Sequence, residues 1–170
     1  MNQLLPPKIL KTLCVAIAAI LGCAGILSAQ TLKWSHQLPP GSVLARAGDG
    51  HGAVAVCLRS VGPTEESARC VWIGAHGEIL LTHDLERAHE DGSVDIVRLT
   101  NTELAVRFSS STQPNLLRRF KRTRQGIIIL DKELEPFEEV PRAPEHLTDP
   151  FGFFSFGYNG AVFEIRRYRN

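Results

Sequence analysis

Short runs of alternating or β-branched residues recur along the chain between glycine, proline, asparagine and aspartate residues. In one of them, Leu104, Val106 and Phe108 share a face of the extended backbone. We predict eleven strands, at residues 31–36, 42–47, 53–60, 68–75, 78–83, 93–99, 103–109, 116–123, 126–131, 152–158 and 161–167. The single helical candidate, 84–90, is short, charged and followed by Asp-Gly, so a turn is predicted there. The predicted fold class is therefore all-β with antiparallel strands.

The chain resembles itself at a spacing near 49 residues. Residues 34–38 align with 81–85 at an offset of 47, and Val56 aligns with Val106 at 50. Residues 77–86 then align with 126–135 at an offset of 49. A weaker third copy places Gly160 over Gly126 at an offset of 34, and chance similarity between short β-rich runs is the alternative. We divide the domain at 30–170 into approximate repeats 31–85, 86–135 and 136–170.

A repeat of this length with about four strands resembles the blade of a β-propeller, of the broad kelch, WD40 and quinoprotein-like kind. The resemblance covers about residues 31–135 and concerns architecture, because the Gly-His and Trp-Asp pairs of WD40 and the double glycine of kelch are missing from the sequence. It implies antiparallel sheets that cover one another, and it assigns no activity. Since closed propellers carry four to eight blades, fewer than three repeats predict an incomplete propeller. A second copy completing the ring, or an open or sandwich-like arrangement, are the alternatives.

The first 29 residues have the composition of a secretory signal peptide. Lys8 and Lys11 precede an apolar run of about 15 residues, which is shorter than the roughly 20 that a spanning helix needs. We predict cleavage after Ala29 and a secreted or periplasmic protein. The alternatives are a membrane anchor through residues 9–27 and lipid attachment at Cys23.

Composition and charge narrow the function classes. The chain has 170 residues, of which 44% are apolar and 22% charged, which excludes a collagen, a long coiled coil, a multi-span membrane protein and a fully disordered chain. Loss of residues 1–29 would remove two of the 19 basic side chains and none of the 18 acidic ones, so the net charge would change from +1 to −1. We therefore expect no nucleic-acid partner, since no overall positive field would recruit one.

Cys57 and Cys70 lie in two predicted strands joined by a short loop, where a symmetric hairpin would place them opposite each other. Export would permit their oxidation, and a bridge closing this loop would stabilise the fold by roughly 3 kcal/mol in the chain-entropy model. A structural disulfide is the preferred interpretation. Two buried free thiols, or a catalytic or metal-binding thiol, are the alternatives.

We predict no catalytic residue, cofactor or metal site. The six histidines, His36, His51, His76, His83, His89 and His146, form no pair at a diagnostic metal-binding spacing. The Asp49–Gly52 loop is predicted to be a hairpin turn, and His83-Asp84 corresponds to Lys132-Glu133 in the next repeat, which suits solvated positions. No nucleophile-elbow, Walker or dinucleotide motif is present in the sequence.

Two segments could contact a partner. A cationic strand contains a candidate anion-binding set, which consists of Arg118, Arg119, Lys121, Arg122 and Arg124. On a strand, Arg118, Arg122 and Arg124 would share a face with Phe120, and the alternative to anion binding is a charged strand that resists edge-to-edge pairing. The aromatic run 151–158 is predicted to form a hairpin, whereas joint exposure of its rings would favour a partner surface.

The preferred function is an exported propeller-like module that binds a protein or polysaccharide, or acts as a scaffold, with membrane contact only through an uncleaved or lipidated N-terminus. The alternatives are a secreted hydrolase or lyase with its site in loops between blades, and a truncated fragment of a longer propeller. An enzyme should show a concave pocket with converging carboxylates or histidines.

Overall fold

The computed structural model describes residues 30–60, 68–85, 92–136, 138–159 and 162–170. The protein is all-β, and the described residues contain no helix. The strands in chain order are β1 Thr31–Leu38, β2 Gly41–Asp49, β3 Val54–Ser60, β4 Ala68–Ile73, β5 Ile79–Leu85, β6 Ser93–Leu99, β7 Glu103–Ser109, β8 Leu116–Thr123, β9 Gly126–Glu133, β10 Glu145–His146, β11 Thr148–Asp149, β12 Gly152–Asn159 and β13 Val162–Arg169.

The eleven predicted strands are confirmed, with each end within two residues of its expected position. The strands β10 and β11, of two residues each, were not predicted. The expected turn at 84–90 begins within β5, and its remainder lies outside the described residues. The predicted signal peptide, including residues 9–27 and Cys23, also lies outside them.

The strands form three separate sheets. The first sheet has the order β1-β13-β12-β11, the middle sheet β10-β2-β3-β4-β5, and the third sheet β6-β7-β8-β9. Neighbouring strands are antiparallel except β10, which runs parallel to β2. Strands from opposite ends of the described chain, β1 and β13, are therefore neighbours in the first sheet.

The middle sheet is covered on both faces, and its central strand β3 is apolar from Val54 to Leu58. One face packs on the third sheet, and this core includes Ala55, Cys57 and Trp72. The other face packs on the first sheet through Val54, Val56 and their neighbours. A sheet with a neighbour on each side buries alternate residues in both directions, as stacked repeats do. The three sheets thus form a stack with two cores.

The aligned repeat segments occupy corresponding strands. Residues 34–38 and 81–85 lie on β1 and β5, which are both edge strands, and residues 126–133 form the third such edge, β9. The aligned Gly77 and Gly126 have positive φ angles of 87° and 133°, which suits glycine in both turns. A Cβ atom on Gly77 would lie 2.8 Å from Trp34 Cγ, so this turn also needs a glycine for close packing.

Among the described residues, none of the sheets closes on itself. The link between the third and first sheets runs along sheet edges. Ala143 donates its backbone N–H to Ile96 O on β6 at 2.8 Å, and the chain then pairs with β2 as β10 and with β12 as β11. The described part of the chain has no helix long and apolar enough to cross a membrane.

Candidate functional site

The cationic strand β8 divides its charges between two faces of the third sheet, as the alternation predicted. Arg118 and Phe120 point towards the middle sheet. The Arg118 guanidinium donates to both carboxylate oxygens of Asp131, at 2.8 and 2.7 Å, and to His83 Nε2 at 3.1 Å. The His83 ring stands edge-on to Phe120 with centroids 4.9 Å apart. Arg118 therefore holds β8, β9 and β5 together and has little left to offer an anion.

Arg119 points to the opposite, outward face of the third sheet. Its Nε donates to Glu103 Oε1 at 2.6 Å, and Arg98 Nε lies 3.5 Å from the other oxygen of the same carboxylate. The hydrogen bond from Arg119 lowers the pKa of Glu103 below its usual value, and the positive charges of Arg119, Arg98 and Lys121 lower it further. The same bond raises the pKa of Arg119. This cation is thus engaged within the sheet.

The remaining three candidates lie towards the turn that joins β8 to β9. Lys121 is half-buried on the outward face, Arg122 is exposed, and Arg124 lies in the turn beyond the last β8 residue rather than on the strand. No described acidic side chain forms an ion pair with Lys121, Arg122 or Arg124. The five predicted residues therefore separate into two that hold the sheet together and three that stay available.

The outward face of the third sheet carries a second ion cluster, which the motif search did not identify. Asp95, whose side chain is almost fully buried, forms ion pairs with Arg107 Nη2 and Arg142 Nε, both at 2.6 Å. Arg107 Nη1 also donates to the Val140 carbonyl at 3.1 Å. This cluster fixes residues 138–143 against the sheet.

The aligned repeats explain where these charges come from. The strand register makes each residue of β3 equivalent to the residue 50 positions later on β7, and each residue of β4 equivalent to the residue 47 positions later on β8. The middle-sheet residues that face the third sheet are thereby matched to residues on the third sheet's outward face. Four matched pairs are apolar in the middle sheet and charged in the third: Ala45 with Asp95, Ala47 with Arg98, Cys57 with Arg107, and Trp72 with Arg119. Two further pairs, Ala55 with Ala105 and Cys70 with Leu117, are apolar in both sheets. Several positions that are apolar in the middle sheet are therefore charged in the third, and the offset of 50 that aligns Val56 with Val106 could have shown this from the sequence.

The predicted disulfide is present between Cys57 and Cys70, directly opposite each other on β3 and β4. Both cysteines are fully buried in the core between the middle and third sheets. The bridge is consistent with an extracellular location. It closes a hairpin whose loop, 61–67, lies outside the described residues.

The described histidines are dispersed. His36 Nε2 contacts the Gly77 carbonyl at 2.6 Å, and His51 lies in a turn where its backbone N–H and that of Ala53 donate to Asp49. His76 and His146 lie in another turn and on β10, and His89 is outside the described residues. In the part of the chain that the structure describes, no group of three His, Cys, Asp or Glu side chains could hold a metal ion.

The aromatic run forms the hairpin partner of β13, as predicted. Phe154 is buried, Phe153 stacks on Tyr168 with centroids 5.0 Å apart, and Phe151 and Tyr158 are exposed. The Tyr158 hydroxyl nevertheless donates to the Gly41 carbonyl, so this ring is tied to the middle sheet. The run thus serves mainly as part of the first sheet and its core.

A cleft of about 400 Å³ opens at the end of the third sheet, beside the loop between β7 and β8. It is lined by Ser110, Gln113, Pro114, Asn115, Glu133, Leu134, Glu135 and Pro136. Two exposed carboxylates therefore border a concavity that the sequence did not predict.

The chain matches no known protein family, no curated protein and no solved structure.

Proposed function

We propose that this protein is an exported binding or scaffold module built of β-propeller-like sheets. The stack of three antiparallel sheets and the aligned edge strands β1, β5 and β9 support a repeat architecture. The disulfide between Cys57 and Cys70 supports an oxidising compartment. A stack of this kind offers a rigid surface, and its function depends on which parts of that surface stay free.

The observation that carries the proposal is the charged outward face of the third sheet. Several of its positions correspond to apolar residues of the middle sheet, yet the face holds Asp95, Arg98, Glu103, Arg107 and Arg119. Such a face suits water better than another packed sheet, because burying so many charges would be costly. The ion pairs neutralise the largely buried carboxylates of Asp95 and Glu103 and leave the side chains of Arg98 and Arg142 exposed, so this face needs no further sheet to cover it.

An anionic polysaccharide or an acidic protein surface is the partner class that the available cations fit. Lys121, Arg122 and Arg124 are close in sequence where β8 turns into β9, with Lys121 and Arg122 on opposite faces of the strand, and their charges can contact an anionic polymer at this end of the sheet. Contacts of this type weaken as salt screens them. Binding should therefore be strongest at low ionic strength.

The experiment is retention of the purified protein on an immobilised sulfated polysaccharide across a salt gradient. We expect binding at low salt, and we expect Arg122→Glu to elute at clearly lower salt. Arg169→Glu is the matched control, since Arg169 is an exposed arginine at the end of the first sheet and its reversal changes the net charge equally. Absence of retention at low salt, or equal losses in the two variants, would overturn the anionic-partner assignment.

The cleft at the end of the third sheet favours a second candidate, a secreted hydrolase. Glu133 and Glu135 line it, and paired carboxylates serve glycoside hydrolysis. Release of reducing sugar from a polysaccharide panel, abolished in Glu133→Gln and Glu135→Gln but not in Glu139→Gln, would support this candidate. Activity that persists in both cleft variants would exclude the cleft as its source.

A further inference from the structure

The edge of the third sheet is formed by β9, and this edge is apolar. The strand pairs with β8 over its whole length in an unbroken register, from Leu116↔Glu133 to Thr123↔Gly126. Three consecutive side chains in its middle are exposed: Ile128 by 48%, Ile129 by 46% and Leu130 by 43%. An edge strand presents unpaired backbone N–H and C=O groups, so a regular apolar one is a template for another strand.

The corresponding edge of the middle sheet is different. On β5, Ile79 aligns with Ile128 and is 51% exposed, but Leu80 and Leu81 pack against the core between the sheets. The pairing of β5 with β4 is also interrupted by a register shift between Trp72 and Ile73. Irregularities of this kind discourage pairing between edges. The edge at β9 has a straight ladder and more exposed apolar surface.

Asp131 and Lys132 on β9 pair with Arg118 and Glu138, and the other charges around the strand are arranged by sign. Arg122 and Arg124 precede the strand, whereas Glu133 and Glu135 lie at and beyond its end. No described residue forms an ion pair with any of these four side chains. If two copies of β9 pair in antiparallel orientation, the basic start of each strand meets the acidic end of the other. A parallel pairing would instead bring like charges together.

We propose that two copies of this chain associate through their β9 edges, antiparallel and around a two-fold axis at Ile129. In this register Ile129 faces its own copy, Ile128 faces Leu130, and Gln125 faces Glu133, with Arg124 beside that carboxylate. Centring the axis on Ile128 instead would oppose Arg124 and Lys132. The pairing joins the two third sheets into one continuous sheet of eight strands. It is a self-complementary, closed interface of the kind that two-fold dimers use.

This inference names a second copy as a partner and does not rest on the proposed function. Its first test is sedimentation velocity of the purified protein over a concentration series. We expect a dimer, and we expect Ile128→Lys to weaken it by on the order of 100-fold, because symmetry removes the apolar contact twice. Ile79→Lys is the matched control at the aligned, equally exposed position of β5, and it should leave the dimer unchanged.

A charge-reversal experiment tests the orientation. The variant Arg122→Glu with Arg124→Glu, and the variant Glu133→Lys with Glu135→Lys, should each be largely monomeric. Mixed in equal amounts they should form a heterodimer, since every cluster then contains opposite charges. Heterodimer formation also shows that both variants are folded. The variant Arg122→Glu with Arg124→Glu lacks two cations, so it should bind the polysaccharide poorly even when it has formed the heterodimer. Dimer formation and polysaccharide retention are thus measured independently, and either proposal can fail without the other.

Two results would overturn the proposal. One is a wild-type protein that stays monomeric at concentrations up to about 100 µM, because most specific dimers have dissociation constants lower than this concentration. The other is a dimer that Ile79→Lys disrupts and Ile128→Lys does not. Failure of the charge-reversed variants to form a heterodimer, with each folded by circular dichroism, would exclude the antiparallel register.

Discussion

Arg167 and Asp149 show what a buried charge needs in this fold. Their side chains are 4% and 2% exposed, and Arg167 Nη2 donates to both carboxylate oxygens at 2.7 and 2.6 Å. The guanidinium also lies over the Phe154 ring, 4.6 Å from its centroid. Charges so far from water persist because each neutralises the other, and the loss of either partner leaves a buried charge without compensation.

Asp149→Asn should therefore lower the free energy of unfolding by about 3–5 kcal/mol. The matched control is Asp84→Asn, which breaks the exposed pair between Arg69 and Asp84. Exposed pairs are screened by water, so the control should lose no more than about 1 kcal/mol. Urea denaturation followed by tryptophan fluorescence measures both values. Equal losses in the two variants would contradict the importance of burial.

Glu103 gives the molecule a stability that depends on pH. The hydrogen bond from Arg119 holds the pKa of the Glu103 carboxyl below its ordinary value of 4.5. A lowered pKa in the folded state means that the pair stabilises the protein above about pH 4.5 and that this contribution is lost as the pH falls through the folded pKa. The free energy of unfolding of the wild type should exceed that of Glu103→Gln by about 1 kcal/mol at neutral pH. This difference should disappear in acid.

Unfolding free energies of the two proteins, measured by urea denaturation in steps from about pH 7 to about pH 3, test this dependence. Glu139→Gln is the control, because it removes an exposed carboxylate that is not part of the pair between Glu103 and Arg119. A gap between wild type and Glu103→Gln that stays constant in acid would show that the carboxylate charge contributes nothing.

At the scale of elements, the strands were predictable and the connection between sheets was not. Alternation identified β7 because Leu104, Val106 and Phe108 must all point at the middle sheet. The segment around β10 and β11 shows no such alternation. β10 is ordered by β2, about a hundred residues earlier in the chain, whereas β11 pairs with β12, which directly follows it, over only two residues. Long-range pairing of two residues leaves no local pattern for the sequence to reveal.

For the candidate anion-binding strand β8, the sequence predicted which face each side chain occupies but not the partners of those side chains. Alternation correctly separated Arg118 and Phe120 from Arg119 and Lys121. It could not show that Arg118 is bound to Asp131, because this depends on the register of β9 against β8. The charged outward face was accessible in principle, since an offset of 50 matches Cys57 with Arg107. Identifying it required knowing which face of the middle sheet is covered.

At the scale of the molecule, the two cores and the charged outward face have opposite requirements. The middle sheet needs apolar residues on both faces, whereas the third sheet needs them on one. Making its outward face apolar, as the matched face of the middle sheet is, with Asp95→Ala, Arg107→Leu and Arg119→Trp, should create an exposed apolar patch. Such patches drive association. We expect species larger than those of the wild type in light scattering, and stronger binding of an apolar fluorescent dye.

The control must remove the same ion pairs without adding apolar surface, which Asp95→Ser, Arg107→Gln and Arg119→Gln achieve. If the charges keep this face solvated, the apolar variant associates and the polar one retains the wild-type size, although both lose the stabilisation of the ion pairs. Association of both variants would mean that ion-pair loss unfolds the sheet, and circular dichroism would report it. An apolar variant that keeps the wild-type size and dye binding would show that the charges on this face are not what prevents another sheet from packing on it.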